Sequence, residues 1–406
     1  MKITKSFATL FAIGMIAFAP SANAQEKKEK EKEELKFTVI KEAPITSVKN
    51  QSRSGTCWCF SSLSYFESEI LRKTGKTYDL SESFVIHHTM TDRAEANVRM
   101  HGDVSFSQGG SFYDVIYCAK NYGLCPESAT VPVGSLYGDT LFNHNELDKV
   151  ASGYMKGLTG PDAKLKTVSP CWKKGIEAIY DTYLGKLPTE FKYEGKKYTP
   201  KTFAESLGLN WDDYVSLTSF THHPFYSQFA IEVQDNWRWA LSYNLPLDEF
   251  MEVMDYAVKN GHAFAWGADV SESYFNREGS CVASVPVNAK KTNQSNEGSD
   301  QEKWIGKTGG KNPSVSEDGE MVITQELRQE AYDNWETTDD HGMVIYGIAK
   351  DQNGKEYYMM KNSWGFYGKY KGFAYISKAY AAYKTMNILI NKNAIPEKIA
   401  KKLGLK

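Results

Sequence analysis

Apolar residues follow two spacings along this chain. From Thr56 to Lys73, Phe60, Leu63, Phe66 and Ile70 recur every three or four residues and Gly75 follows, which predicts a helix closed by a glycine cap. A second helical pattern runs from Ser111 to Asn121, introduced by Gln108-Gly109-Gly110 and followed by Gly123. The stretch from about 143 to 244 predicts helices over Glu146–Met155, Trp172–Leu184 and Pro200–Leu207 around a small hairpin, Phe191–Tyr198, that turns at Glu194-Gly195. It reads as a large helical insertion. Leu247–Lys259 is a further helix stopped by Asn260-Gly261, and the apolar run His262–Ala268 after it reads as a buried strand. Lys290 to Gly319 is rich in Asn, Ser, Gly, Asp and Glu, as a long surface loop is. Thr324 caps a helix to Trp335, and strands are predicted at Met343–Ala349, Glu356–Lys361 and Phe373–Ile376 between glycine-rich turns.

The first residues follow neither spacing. Lys2 and Lys5 precede an apolar run from Phe7 to Ala19, and Ala22-Asn23-Ala24 fits an A-x-A cleavage site before Gln25. Residues 1–24 are therefore expected to be a signal peptide, 25–43 a charged linker in which Glu26 to Glu34 alternate Glu and Lys, and 44–406 the folded unit. The expected location is the periplasm or the medium, where disulfides are permitted. Composition narrows the classes further. With 48 basic and 50 acidic residues, the net charge of −2 gives no support for a nucleic-acid binder or a polybasic membrane binder.

Chemistry concentrates at Gln51-Ser-Arg-Ser-Gly-Thr-Cys57-Trp58. A thiol in the first turn of a helix lies beside free N–H groups and the positive dipole end, which favour the thiolate. Cys59 lies about 200° further round the helix, so Cys57 is assigned to a cleft and Cys59 to the packing side. Downstream come Asp340-His341-Gly342 and Lys361-Asn362-Ser363-Trp364-Gly365. A cysteine nucleophile needs a base, and the base needs a partner that fixes its ring; His341 and Asn362 fit these roles. If the two face each other across antiparallel strands, a connection of four to six residues near Asp351-Gln352 is expected. His87-His88 and His222-His223 match no metal-ligand spacing, so no metal site is expected and the pairs read as packing or surface residues. Cys118 and Cys125 flank a helix end and read equally as a disulfide or as two buried thiols; the states of Cys171 and Cys281 are left open.

These motifs together resemble the papain-like cysteine peptidases, and more closely their bleomycin hydrolase and aminopeptidase C branch. Ser54-Gly55-Thr56-Cys57-Trp58 stands where the papain signature has Cys-Gly-Ser/Ala-Cys-Trp/Tyr, so the papain disulfide at the first position is absent. His341 lies 341 − 57 = 284 residues beyond Cys57, a separation similar to that produced by the insertions of the bleomycin hydrolase branch. The resemblance covers Pro44 to Ile390. It implies an α+β, two-lobed fold, with a helical lobe carrying the cysteine and an antiparallel β-barrel lobe carrying His341 and Asn362. It also implies a peptide substrate, no cofactor and a homo-oligomer, hexameric by this resemblance. Cys57 would attack the scissile carbonyl, His341 would carry its proton and Asn362 would orient the ring, with Trp364 shielding that pair. Gln51 and the Cys57 N–H would hold the oxyanion, and Gly109 and Gly110 would form the wall on which the substrate backbone lies.

The activity expected is that of a cysteine aminopeptidase. In the related branch a C-terminal arm ends in the cleft and its carboxylate anchors the substrate amine, whereas this sequence ends at Lys406, where such an arm would begin. An endopeptidase or dipeptide-releasing enzyme is the alternative within the class, and a non-catalytic peptide binder is the alternative outside it. With Lys401, Lys402 and Lys406 near the end, N-acetylated peptides are expected to be cut within about tenfold of free ones. That holds unless an acid of the 290–319 loop, such as Asp300, Glu302 or Asp318, binds the amine.

Overall fold

A computed structural model describes residues 34–276, 278–286, 316 and 319–406. The segment expected to be a signal peptide, most of the linker and nearly all of the 290–319 stretch, with Asp300, Glu302 and Asp318, lie outside the described residues. The body from Lys36 to Lys406 is one unit.

Strand β1 (Thr38–Glu42) leads to helix α1 (Cys57–Thr74), which ends on Gly75 at φ 71° as the glycine cap requires. Helices α2 (Glu82–Arg99), α3 (Phe112–Asn121), α4 (Asn145–Thr159) and α5 (Cys171–Leu184) pack with it. The hairpin of β2 (Phe191–Tyr193) and β3 (Lys196–Tyr198) precedes α6 (Pro200–Ser206). The sheet then begins with β4 (Tyr214–Thr218), β5 (Gln228–Ala230) and β6 (Leu241–Asn244). It continues after α7 (Leu247–Lys259) with β7 (Phe264–Ala268), β8 (Phe275–Asn276) and β9 (Val282–Ala283). Helix α8 (Gln325–Asp333) precedes β10 (His341–Lys350), β11 (Glu356–Lys361) and β12 (Phe373–Ser377), and the chain closes with α9 (Lys378–Lys384), β13 (Thr385–Asn391) and α10 (Glu397–Lys402).

The main sheet runs β5-β6-β4-β13-β7-β10-β11-β12-β9-β8, with β1 on the far half of β10, and is antiparallel except at β4–β6 and β9–β12. Its centre, β7, is Phe264-Ala-Trp-Gly-Ala and is buried throughout. Two apolar cores flank it: one gathers α1 to α6 around Phe66 and Phe84, the other gathers α7, α9 and α10 around Trp266 and Tyr380.

Three boundaries differ from the sequence reading. Residues 38–42, counted in the linker, pair with β10 as β1, although every one of them is exposed. The 143–244 stretch is not wholly an inserted helical block, because β4, β5 and β6 are strands of the main sheet. Strand β10 carries a bulge between Ile345 and Gly347 and pairs Val344 with Lys361, so one step on, Asn362 stands opposite Met343 and not His341. The connection between β10 and β11 is residues 351–355, within the expected length.

Candidate active site

The start of α1 places Cys57. Thr56 makes no side-chain cap to the helix, its hydroxyl being tied to Ser54 Oγ at 2.8 Å, while its carbonyl takes the Cys59 N–H at 2.9 Å. The N–H of Trp58 points at the Cys57 sulfur, and the N–H of Gly342, second residue of β10, reaches the same atom. Glycine is needed there: a Cβ at Gly342 would sit 2.5 Å from Ser61 Oγ and 3.0 Å from Phe112. Burial pushes the Cys57 thiol up to about 12 against these two donors, and the Asp339 and Asp235 carboxylates push the same way. The helix end alone therefore does not make the thiolate. A base must take the proton. Cys59 is fully buried, its sulfur 3.8 Å from the Glu82 carbonyl, on the packing side as its helix position requires.

His341 is buried at the first position of β10, opposite Ala268 of β7. Its Nε2 lies 2.7 Å from Asn362 Oδ1, reached diagonally from just beyond the end of β11. Asn362 is itself fixed, its Oδ1 accepting from Ser363 N–H at 2.8 Å and its Nδ2 donating to Tyr367 Oη at 2.8 Å. With Asn362 presenting oxygen, Nε2 carries the proton and Nδ1 is the basic nitrogen. The Trp364 indole stacks on the imidazole at 4.5 Å and 25°.

Gln51 is held by its neighbours. Its Oε1 accepts from Ser363 Oγ at 2.7 Å, and its Nε2 donates to the Ser54 carbonyl at 2.7 Å, leaving one amide hydrogen beyond that bond. Gln51 is 3% exposed and is not among the residues lining the cleft. Sequence reasoning passed over Gln108 as a positioning residue: its Oε1 accepts from Gly55 N–H at 2.9 Å and its carbonyl from Trp58 Nε1 at 3.0 Å, tying the Gly-Gly loop to the nucleophile loop.

The cleft encloses about 420 Å³ beside Cys57, Gly110 and His341. Gly110 lies on the Trp58 ring, where a Cβ would come within 2.9 Å of Cε2. Gly109 is covered by the protein itself, for a Cβ there would be 2.0 Å from Asp235 Oδ2. Asp235 comes from the loop between β5 and β6, which also sends Arg238 and Trp239 into the wall. Arg238 is neutralised by Asp92 and Asp114, each at 2.6 Å. Arg93 fastens Gly109 by its carbonyl and stands 3.8 Å from Asp235. Asp339 and Asp340 complete an acidic rim, and burial raises Asp339 to about 6. The Asp339-Asp340 pair stands next to His341 in the sequence; Asp235 carries no local signal, since only folding brings it to Gly109.

The C-terminal lysines face elsewhere. Lys402 bonds Glu249 of α7, Lys401 pairs with Glu397 at 2.6 Å, and none of residues 397–406 lines the cleft. The expected repulsion of an incoming amine is thus not built at the site. No disulfide occurs among the described residues; Cys118 and Cys125 are buried, and Cys171 is exposed. His87 bonds Asp181 at 3.0 Å and His88 stacks on Tyr122 at 4.1 Å, both packing roles. His222 and His223, by contrast, converge with Glu232, a set that neighbour spacing does not reveal.

Comparison with known proteins follows this geometry. Residues 35–131 match the papain family cysteine protease model. Aminopeptidase C of Streptococcus thermophilus is 24% identical over 388 residues, covering 85% of this chain and 80% of that protein. Aminopeptidase C of Lactobacillus delbrueckii subsp. lactis is 23% identical over 434 residues, covering 96% and 90%. Among solved structures, PepW from Lactobacillus rhamnosis HN001 superposes with a TM-score of 0.64 at 20% identity, covering 90% of this chain and 84% of that one, which shows a shared fold. The chain thus carries a papain family cysteine protease match over residues 35–131, is similar to aminopeptidases C over most of its length, and shares the fold of PepW.

Proposed function

We propose that this protein is a cysteine aminopeptidase. Cys57 attacks the scissile carbonyl, His341 takes the thiol proton on Nδ1 and returns it to the leaving amine, Asn362 holds the ring, and Trp364 covers it. Gln51 Nε2 and the Cys57 N–H receive the oxyanion, and Gly110 lies along the substrate. The 2.7 Å contact of His341 with Asn362, on a strand whose next residue donates to the Cys57 sulfur, carries the peptidase reading.

The Asp235 carboxylate on Gly109, with Asp339 on the same rim, supports recognition of a free amino terminus. An ammonium taken from water into a cleft needs such a partner. This replaces the near-equal cutting of acetylated peptides expected from the sequence, because the acid comes from the loop between β5 and β6. The test is a free-amino peptide beside its N-acetylated twin, with and without a thiol alkylator. A preference of a hundredfold or more for the free amine is expected, and both rates should vanish on alkylation. Near-equal rates would make the enzyme an endopeptidase. Export is proposed from residues 1–24 alone; a mature amino terminus at Gln25 in the periplasm or medium would support it. Homo-oligomeric assembly is proposed from the resemblance and is read by sedimentation velocity.

A further inference from the structure

The loop that walls the cleft is rooted at a second cluster. His222 Nε2 lies 3.0 Å from Glu232 Oε2, and His223 Nε2 lies 2.8 Å from Glu232 Oε1. All three ligand atoms fall within 4.8 Å of one another. Two imidazole nitrogens and a carboxylate form a donor set used by zinc sites that keep a position open. Zinc bonds of about 2.0–2.2 Å place tetrahedral ligand atoms roughly 3.4 Å apart, so small side-chain rotations would admit the ion.

The rings are held in place before any ion arrives. His223 stacks on Phe229 at 4.2 Å and 21°, and His222 lies against Tyr332 at 5.6 Å and 23°. The buried Asn244 side chain grips the backbone beneath them, donating to the Phe220 carbonyl at 2.7 Å and the His223 carbonyl at 2.9 Å. The Glu232 carbonyl accepts from Tyr332 Oη at 3.1 Å. Gln329 faces His222 Nδ1 with both amide atoms, Nε2 at 3.0 Å and Oε1 at 3.4 Å, so it offers an acceptor for Nδ1–H once Nε2 is committed to a cation. The cluster is open to solvent, with His222, His223 and Glu232 side chains 28%, 35% and 55% exposed.

We propose that His222, His223 and Glu232 form a three-ligand site for a divalent transition cation, zinc by ligand type, at the root of the cleft-wall loop. A plain clamp of one carboxylate between two histidines is the competing reading, and metal titration separates the two. The full chain carrying Cys57→Ala and Cys171→Ala is used, so that neither the cleft thiol nor the exposed one can hold zinc, and Zn²⁺ is followed by calorimetry at pH 7.5. One ion per chain is expected, with a rise in Tm. His222→Ala, His223→Ala and Glu232→Gln should each weaken binding by at least tenfold and abolish the Tm rise, while circular dichroism reports whether each has folded. Co²⁺ should give the visible absorption of a tetrahedral site in the parent and lose it in His223→Ala. Should a histidine variant not fold, Glu232→Gln with the Co²⁺ spectrum decides alone. Absence of binding in the parent, or equal binding in the folded variants, overturns the site. Binding lost in His341→Ala but kept in His222→Ala would overturn it too, placing the ion at the peptidase residues. The proposal does not depend on the aminopeptidase reading, since its readouts are taken without activity.

Discussion

Replacing His341 by glutamine tests how the sulfur is activated. Burial pushes Cys57 up to about 12, so without a base the thiol at pH 7 is ionised to about one part in 10⁵, since 12 − 7 leaves five decades. The two N–H donors, Gly342 and Trp58, are already included in that balance. In the mechanism proposed above the proton moves to His341 Nδ1 and the thiolate survives as half of an ion pair. The assay is iodoacetamide alkylation of Cys57 followed by mass spectrometry from pH 5 to 11. The wild type should show a plateau across neutral pH. The His341→Gln variant should react about 10⁴ to 10⁵ times more slowly at pH 7, with a rate that climbs about tenfold per pH unit. Alkylation of the variant within tenfold of wild type at pH 7 would refute the reasoning, for it would mean that the helix end makes the thiolate unaided.

Asn362→Ala should lower kcat by about 10- to 100-fold with little change in Tm, because it frees the ring without opening the core; full activity would contradict the orienting role. Gly109→Ala forces a Cβ to 2.0 Å from Asp235 Oδ2, so the loop must move; kcat/KM on free-amino peptides should fall at least tenfold while acetylated peptides change little. Asp235→Asn should show the same split without the steric strain. Stability should fall in acid through His144, whose fully buried ring burial lowers from 6.5 to about 4. The unfolded chain then binds the extra proton between those values, so about 3 kcal/mol is lost as the pH drops from 6.5 to 4. Urea unfolding of His144→Gln should show a correspondingly shallower decline over that range.

Elements with a clean apolar period were legible in the sequence: α1, α3 and α7 fall within a residue of their expected ends because glycine or asparagine stops each one. Helix α2 was not, since its buried face carries His87, Arg93 and Asn97, polar residues that break the apolar period and bond outside the helix, to Asp181, Ser105 and Val104. Strand β13 was missed because a short, wholly apolar run such as Ile388-Leu-Ile390 has no period to read. Cys57, His341 and Asn362, the proposed nucleophile, base and orienting residue, were legible as candidates because each sits in a local motif. Asp235 and the Glu232 cluster were not, because a loop brings them to residues that sequence distance keeps apart.

The close passage of β10 over α1 at Gly342 has a consequence for timing. Cys57 emerges early in synthesis, yet its sulfur lacks both the Gly342 N–H and the His341 imidazole until 342 − 57 = 285 further residues have been added. Until then it is an ordinary, mostly protonated thiol. A partly made chain therefore cannot cut its neighbours, and truncated fragments ending before residue 341 should be proteolytically silent even when folded. The fold acts as its own safety catch, armed only when its two distant ends meet.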